Sequence, residues 1–223
     1  MKLALAQLNF IVGDIEGNSA KIIDSIKRAK QAGAGLVLFS ELAIVGYPPK
    51  DLLANPKFVE DNEKALERVA KHARGIAALV GFVRRNTRAD GRHLFNAAAL
   101  LEDARVAAEH YKTLLPTYDV FDEHRYFEPP AKVEPLIVKI DGQQLSVGVT
   151  ICEDLWNDPR FVGRKLYHRN PLDDLLEAGA QILVNLSASP FGEGKNALRE
   201  RLFGEQISQF DVPLALVNQV GGN

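Results

Sequence analysis

Short runs of apolar residues alternate along the chain with segments in which apolar residues recur every three or four positions. The short runs predict buried strands, and the longer spacing predicts helices with one apolar face. Strands are expected at about residues 2–8, 36–39, 76–83, 94–101, 105–111, 137–140, 144–151, 181–186 and 213–219. Helices are expected at about 19–31, 56–73, 171–178 and 197–209. This alternation, without an internal repeat or a dividing linker, predicts one α/β domain whose sheets are covered by helices.

The ends of several elements carry turn and cap signals. Asn18 or Ser19 is expected to cap the first helix, because such side chains accept hydrogen bonds from the free N–H groups at a helix start. Glu102 and Asp103 are expected to form the turn between two adjacent strands. Asp141-Gly142 is a strong signal for a β-hairpin.

Composition and charge exclude several classes of protein. The 223 residues are 46% hydrophobic and 25% charged, as in an ordinary globular protein. The formal net charge of -2 gives no reason to expect binding to nucleic acid or to an anionic membrane. No apolar run approaches the roughly 20 residues that span a bilayer. The first residues lack a signal-peptide cleavage site, so we expect a cytoplasmic location.

Three residues with reactive side chains follow predicted strands, where ligands gather in α/β sheets. Glu41 lies two residues beyond the run LVLF, Lys112 directly follows RVAAEHY, and Cys152 directly follows SVGVTI. Because Cys152 is the single cysteine, an internal disulfide and a multi-cysteine metal site are excluded. We expect no metal in this domain.

Cys152 is the candidate nucleophile. A lone cysteine is usually a small buried hydrophobic residue, but this one stands at a strand end and is followed by Glu153, Asp154 and, after one leucine, Trp156. A turn at that point would expose the sulfur and direct the following N–H groups at a developing oxyanion. A thiol with the ordinary pKa of about 8.5 is mostly protonated at neutral pH, so it needs a base or a cation nearby.

Glu41 is a better candidate for that base than any histidine. It lies between two apolar stretches, a poor place for a solvated charge, and a carboxylate there could take the thiol proton. Lys112 also lies among apolar and aromatic residues, and its ammonium could stabilise a thiolate and an oxyanion. The histidines lie on a helix, near a turn or in polar runs and are expected to be solvated: His72, His93, His110, His124 and His168. Glu41, Lys112 and Cys152 together predict acyl transfer.

A Glu, a Lys and a Cys in this order, each at a strand end, resemble the carbon–nitrogen hydrolase (nitrilase) superfamily over essentially the whole chain. Further motifs are similar to those of the glutaminase (glutamine amidotransferase) domains of glutamine-dependent NAD+ synthetases. They are YPPKDLL at 47–53, YDVFDEHRYF at 118–127, CEDLW at 152–156, NLSASPF at 185–191 and NQVGGN at 218–223. The resemblance implies a four-layer α-β-β-α sandwich formed by residues 1–223, truncated at its C-terminal end.

The resemblance also implies a reaction. Glu41 deprotonates Cys152, which attacks the side-chain amide of glutamine, and the resulting thioester is then hydrolysed. Lys112 and a backbone N–H after Cys152 hold the oxyanion. Glu123 matches a second glutamate of the family and orients Lys112.

Glutamine is a zwitterion, so its recognition requires an acid and a cation or hydroxyl at a fixed separation. By the same resemblance, Glu153 binds the ammonium, and Ser189 and Lys195 bind the carboxylate. Relatives can carry Arg at the position of Lys195, and an Arg binds a carboxylate through two bonds. A solvated loop lysine is the alternative there. The other expected substrate-binding residues are Tyr47, Tyr118, Phe121 and Trp156.

Synthetases of this kind continue into an ATP-dependent domain. The present sequence contains no phosphate loop of the SGGxDS type, and its last predicted strand runs into residues 220–223 without a closing element, which favours a piece of a longer chain. We therefore expect no cofactor in this domain, with ATP and Mg2+ bound only by a synthetase domain that acts in cis or in trans. The resemblance also implies a homo-oligomer.

Two other functions remain open. A stand-alone amidase or carbamoyl hydrolase of the superfamily would not need an ammonium ligand such as Glu153. A catalytically silent domain could serve only in assembly.

Overall fold

The computed structural model describes residues 1–140, 142–157, 166–208 and 210–221, which form nine strands and four α-helices. The strands are β1 (Leu3–Ala6), β2 (Leu36–Phe39), β3 (Ala77–Arg85), β4 (Leu94–Glu102), β5 (Arg105–Tyr111), β6 (Leu136–Ile140), β7 (Gln143–Ile151), β8 (Ile182–Ser187) and β9 (Leu214–Asn218). The helices are α1 (Ile15–Gln31), α2 (Pro56–Ala70), α3 (Pro171–Glu177) and α4 (Lys195–Ile207). The predicted order of elements is confirmed.

The strands form two mixed sheets. The first has the order β1-β2-β3-β4-β5, with β1, β2 and β3 parallel and β4 antiparallel to both neighbours. The second has the order β6-β7-β8-β9, with β6 antiparallel to β7 and the other three strands parallel. Because β4 reverses direction, β5 runs the same way as β2, and both strands end at the same edge of the first sheet.

Alternating side chains of the first sheet enter two different cores. Val37 and Phe39 of β2 pack in one core with Ile22 of α1. Leu36 and Leu38 point to the opposite face and belong to the core between the sheets. This alternation follows from the two-residue period of a strand, and it requires apolar residues at every position of β2.

The second sheet is covered in the same way. Val149 of β7 and Val184 of β8 belong to the core between the sheets. Leu183 of β8 points outward and packs in a third core with Leu175 of α3 and Phe203 of α4. Three cores separate four layers, so the expected α-β-β-α sandwich is confirmed.

The predicted cap of α1 is wrong. Asp14 caps this helix, its Oδ1 accepting a hydrogen bond of 2.9 Å from the N–H of Gly17. Asn18 lies inside the helix and is buried, and its Nδ2 donates to the carbonyl of Ile11 at 2.8 Å. Ser19 donates to the carbonyl one turn earlier at 2.6 Å. Both side chains are therefore buried and bonded within the protein instead of capping the helix. The general cap preference of Asn and Ser does not reveal this burial.

The turn between β4 and β5 is displaced by one residue from its predicted place. Glu102 pairs with Arg105 as the last residue of β4, so Asp103 and Ala104 make the turn, with φ angles of 50° and 61°. The other predicted bounds agree with the observed ones, as for β2 and β5, or differ by a few residues. Gly142 has the positive φ expected of its hairpin, 79°. Four residues of the predicted turns, helices and motifs lie outside the described residues: Asp141, Gln209, Gly222 and Asn223.

His110 is buried, so its predicted solvation is wrong. It lies on β5 opposite Ala98, whose side chain belongs to the core between the sheets. Burial lowers the pKa of His110 to about 4, so the imidazole is uncharged at neutral pH. The remaining histidines are exposed as predicted: His72, His93, His124 and His168.

None of the helices formed by the described residues combines the length and the apolar character that crossing a membrane requires.

Gly81 lets the segment after β2 pass directly over the neighbouring strand β3. A Cβ at this position would lie 2.4 Å from the carbonyl oxygen of Ser40 and 2.4 Å from the nitrogen of Leu42. The N–H of Ile44 also donates to the carbonyl of Gly81 at 3.2 Å. Any side chain on Gly81 would therefore displace Glu41 from the surface of the sheet.

We expect Gly81→Ala to lower the free energy of unfolding by about 1–3 kcal/mol, because the added methyl meets backbone atoms that must shift. Thermal and urea denaturation would measure the loss. Gly204→Ala is the matched control, since a Cβ there meets nothing within 4 Å on α4. The control should be neutral or stabilising by up to about 1 kcal/mol. Equal stability of Gly81→Ala and wild type would contradict the close approach.

Candidate active site

The three strand-end residues meet at one edge of the sandwich. Glu41 follows β2, Lys112 follows β5 and Cys152 follows β7 of the second sheet. Strands β3 and β4 separate β2 from β5, and the passage over Gly81 carries Glu41 across this gap. The Lys112 Nζ donates to Glu41 Oε1 at 2.6 Å. The lysine and this carboxylate are thus in direct contact although they lie far apart along the chain.

The two carboxylates beside the Lys112 ammonium each accept further hydrogen bonds. Glu123 accepts a second bond of 2.8 Å from Lys112 and one of 2.8 Å from the hydroxyl of Tyr47. Glu41 accepts from Asn96 Nδ2 at 2.8 Å and from the N–H of Ala188 at 3.2 Å. These bonds hold the two carboxylates on either side of the ammonium, and they draw on both sheets.

Burial makes the charges of this group strongly interdependent. Glu41 and Lys112 are each 1% exposed. Burial alone would lower the pKa of Lys112, but the charges of Glu123 and Glu41 raise it well above its ordinary value, so the ammonium is retained. Burial raises the pKa of Glu123 to about 7, the Lys112 charge opposing this effect and the Glu41 charge adding to it.

Cys152 begins a short 3-10 turn, Cys152–Leu155, directly after β7. Its φ of 44° is a left-handed conformation, which is uncommon for a residue with a Cβ. Burial raises the pKa of the Cys152 thiol, the Glu41 charge raises it further, and Lys112 and a hydrogen bond with Ser187 act in the opposite direction. The resting thiol is therefore protonated, and a nucleophilic role requires a base.

A cavity of about 450 Å³ reaches Cys152. Its lining contains most of the predicted substrate-binding residues: Tyr118, Phe121, Glu153, Trp156, Ser189 and Lys195, together with Asp119 and Leu166. Tyr47 is the exception. It lines an adjoining cavity of about 600 Å³, which shares Phe121 and Ser189 with the first.

The cavity carries an acid and a cation. Glu153 accepts hydrogen bonds from the hydroxyls of Tyr118 at 2.8 Å and Tyr167 at 3.0 Å, and burial raises its pKa. Lys195 is the first residue of α4 rather than a loop lysine, and its Nζ lies 5.6 Å from the centre of the Trp156 ring. Burial, with the nearby Arg199 charge, lowers the pKa of Lys195. Such a site suits a ligand with charges of both signs.

Sequence reasoning missed several residues of the site. Asn96 and Asn185 interrupt the apolar strands LFNAAALLE and ILVNLS, which is a signal for a buried polar role. Asn185 donates to Thr150 Oγ1 at 3.0 Å on the strand that precedes Cys152. Tyr167 lies eleven residues beyond Trp156, and its position in the sequence does not indicate a contact with Glu153.

Within the described ranges, no group of three His, Cys, Asp or Glu side chains is arranged to hold a metal ion.

Comparison with known proteins assigns the family. The carbon-nitrogen hydrolase family model matches residues 2–223. The chain belongs to the carbon–nitrogen hydrolase family. Its resemblance to this family, inferred from the three strand-end residues and the surrounding motifs, is thereby confirmed.

Comparison with individual proteins shows which members of the family this chain is similar to. The chain is 50% identical to a glutamine-dependent NAD(+) synthetase from Synechocystis sp., a match that covers 99% of this chain and 40% of the relative. It is 33% identical, with a TM-score of 0.84, to the structure of glutamine-dependent NAD+ synthetase from Acinetobacter baumannii, covering 99% of this chain and 38% of that one. An amidase from Nesterenkonia sp. shares the fold at 24% identity, with a TM-score of 0.76 and coverage of 100% and 77% of the two chains. The chain therefore spans about two fifths of the length of the synthetases it matches.

The electrostatics of the site generate a prediction for Glu41→Gln. Removing the carboxylate charge should lower the pKa of the Cys152 thiol, because the Glu41 charge raises it in the native protein. The rate of alkylation by iodoacetamide, measured against pH with peptide mapping at Cys152, should then rise at a lower pH than in wild type. Glu63→Gln is a matched control, since Glu63 pairs with Arg84 at 3.1 Å on the surface of α2. An unchanged alkylation profile in Glu41→Gln would contradict the coupling.

Proposed function

We propose that this chain hydrolyses the side-chain amide of glutamine to glutamate and ammonia, and that a synthetase domain, in cis or in trans, uses the ammonia in the ATP-dependent amidation of deamido-NAD+ to NAD+. One observation carries the proposal: the Cys152 thiol lines a cavity with Glu153 and Lys195, and the paired charges of Glu41 and Lys112 act on that thiol. The glutamine-dependent NAD+ synthetases among the relatives, which this chain matches over nearly its whole length, support the same substrate.

In the first half of the proposed reaction, Glu41 takes the proton of the Cys152 thiol while Sγ bonds to the amide carbon of glutamine. The carbonyl oxygen becomes an oxyanion, which the Lys112 ammonium and the N–H of Glu153 stabilise. The C–N bond then breaks, and Glu41 returns its proton to the departing nitrogen. Ammonia leaves, and a glutamyl thioester remains on Cys152.

In the second half, Glu41 takes a proton from a water molecule as the water oxygen attacks the thioester carbon. The C–S bond breaks, the Cys152 thiolate regains the proton from Glu41, and glutamate leaves. Lys112 stays protonated throughout, because Glu41 and Glu123 raise its pKa well above neutrality, outweighing the effect of burial. It therefore acts as a fixed positive charge and not as an acid or a base.

Substrate selection rests on the two ends of the cavity. Glu153 pairs with the α-ammonium of glutamine, with its carboxylate already oriented by Tyr118 and Tyr167. Lys195 and Ser189 bind the α-carboxylate. An amidase that acts on simple amides has no use for a buried acid at this place, and Glu153 therefore favours glutamine over such a substrate.

The direct test is ammonia release from glutamine, measured with a coupled glutamate dehydrogenase assay. Wild type should release ammonia and Cys152→Ala should not, because the variant has no nucleophile. Glu41→Gln should reduce kcat by at least about 10²-fold with glutamine affinity nearly unchanged. Equal rates in wild type and Cys152→Ala would refute hydrolysis by this chain and favour an assembly role.

A second measurement tests the substrate. Glu153→Ala should lose discrimination, so that kcat/KM for glutamine falls toward that for propionamide, which has no α-ammonium. Glu134→Ala is the control, since this exposed acid contacts Lys132 and not the cavity. If the ratio of the two kcat/KM values is the same in Glu153→Ala as in wild type, Glu153 does not read the ammonium.

A further inference from the structure

Asp154 is a buried carboxylate to which the proposed reaction assigns no step. It is 1% exposed. Its Oδ1 accepts hydrogen bonds from the backbone N–H groups of Thr113 at 3.1 Å and Leu114 at 2.8 Å. Its Oδ2 accepts from the N–H of Ile151 at 2.9 Å. One side chain thus receives three backbone donors from two distant segments.

The two segments are those that carry reactive groups. Thr113 and Leu114 directly follow Lys112, whereas Ile151 directly precedes Cys152. Lys112 stands at the end of the first sheet and Cys152 at the end of the second. The core between these sheets consists of apolar contacts, which have no preferred direction. These contacts alone do not define how one strand end is placed against the other. Hydrogen bonds to a carboxylate are directional and charge-assisted.

We propose that Asp154 is a positioning residue whose carboxylate joins the two sheets and sets the place of the Lys112 ammonium relative to the Cys152 sulfur. Its bond to Ile151 also holds the start of the turn in which Cys152 adopts its positive φ. The carboxylate suits this task because both of its oxygens accept. An amide of the same shape has one accepting oxygen and one donating nitrogen, and it can serve only one of the two segments.

The test compares Asp154→Asn with wild type and with Asp14→Asn. Asp14 is the matched control, because its carboxylate also accepts a backbone N–H at 2.9 Å, at the start of α1. Asp14→Asn keeps its bond, because one accepting oxygen is sufficient there, and this variant should have nearly wild-type stability. Asp154→Asn must lose at least one bond, and if that bond served stability alone, the melting temperature would fall and the chemistry would stay intact. The informative readouts are therefore alkylation of Cys152 by iodoacetamide and the separate values of kcat and KM for glutamine.

In Asp154→Asn we expect alkylation to slow about tenfold, because the ammonium no longer stabilises the thiolate from a fixed distance. We expect kcat to fall about 10²-fold with KM changed by less than about threefold. Asp14→Asn should match wild type in both readouts. Wild-type alkylation rates in a folded Asp154→Asn would overturn the inference.

A third measurement applies if Asp154→Asn does not fold. The amides of Thr113, Leu114 and Ile151 should be strongly protected from hydrogen exchange in wild type, and exchange as fast as that of exposed loop amides would overturn the inference. The inference rests on the proposed function only for the kcat readout. Failure of glutamine hydrolysis in wild type would refute the function alone, whereas alkylation and hydrogen exchange still decide the role of Asp154.

Discussion

The arrangement of this site depends on a single ammonium held between two carboxylates inside the protein. Removing an ion from water costs several kcal/mol, and pairing offsets that cost only when the geometry is close and the remaining polar atoms are satisfied. Lys112 meets this condition with Glu41 at 2.6 Å and Glu123 at 2.8 Å. Asn96 and Tyr47 donate to the same oxygens, Oε1 of Glu41 and Oε1 of Glu123, and the N–H of Ala188 donates to Oε2 of Glu41. The strands that carry these residues must therefore end close to one another.

The same constraint explains the chemistry open to Cys152. A buried thiol beside a carboxylate has a raised pKa, so the resting thiol keeps its proton, and in the proposed reaction the neighbouring carboxylate takes it. In the same proposal, the lysine charge then stabilises the negative charge that moves to the substrate oxygen. A thiol, a carboxylate and an ammonium that are each surrounded by water would not perform these steps together. Under the proposed reaction, their burial at the edge of the sandwich is what allows them to act together.

Much of the fold could be predicted because its signals are local. The run LVLF is apolar at every position, and a strand between two cores requires that pattern. The helices show the spacing of one apolar face, and the strand ends place Glu41, Lys112 and Cys152 beyond carboxyl ends. The predictions that were wrong relied on local signals, which tertiary contacts override. Asn18 has the side chain of a cap, yet it bonds inside the protein, and His110 looks solvated but faces the core between the sheets.

The order of strands and helices, the α/β class and the position of three candidate reactive residues at strand ends can therefore be predicted from the sequence, because periodicity and strand boundaries are properties of neighbouring residues. The partners of those residues become defined only when the chain folds. Contacts such as Asn96 with Glu41, Tyr167 with Glu153 and Asp154 with the segment after Lys112 join remote parts of the chain. They depend on distances of about 3 Å and on the exclusion of water, which arise only when the two sheets pack together.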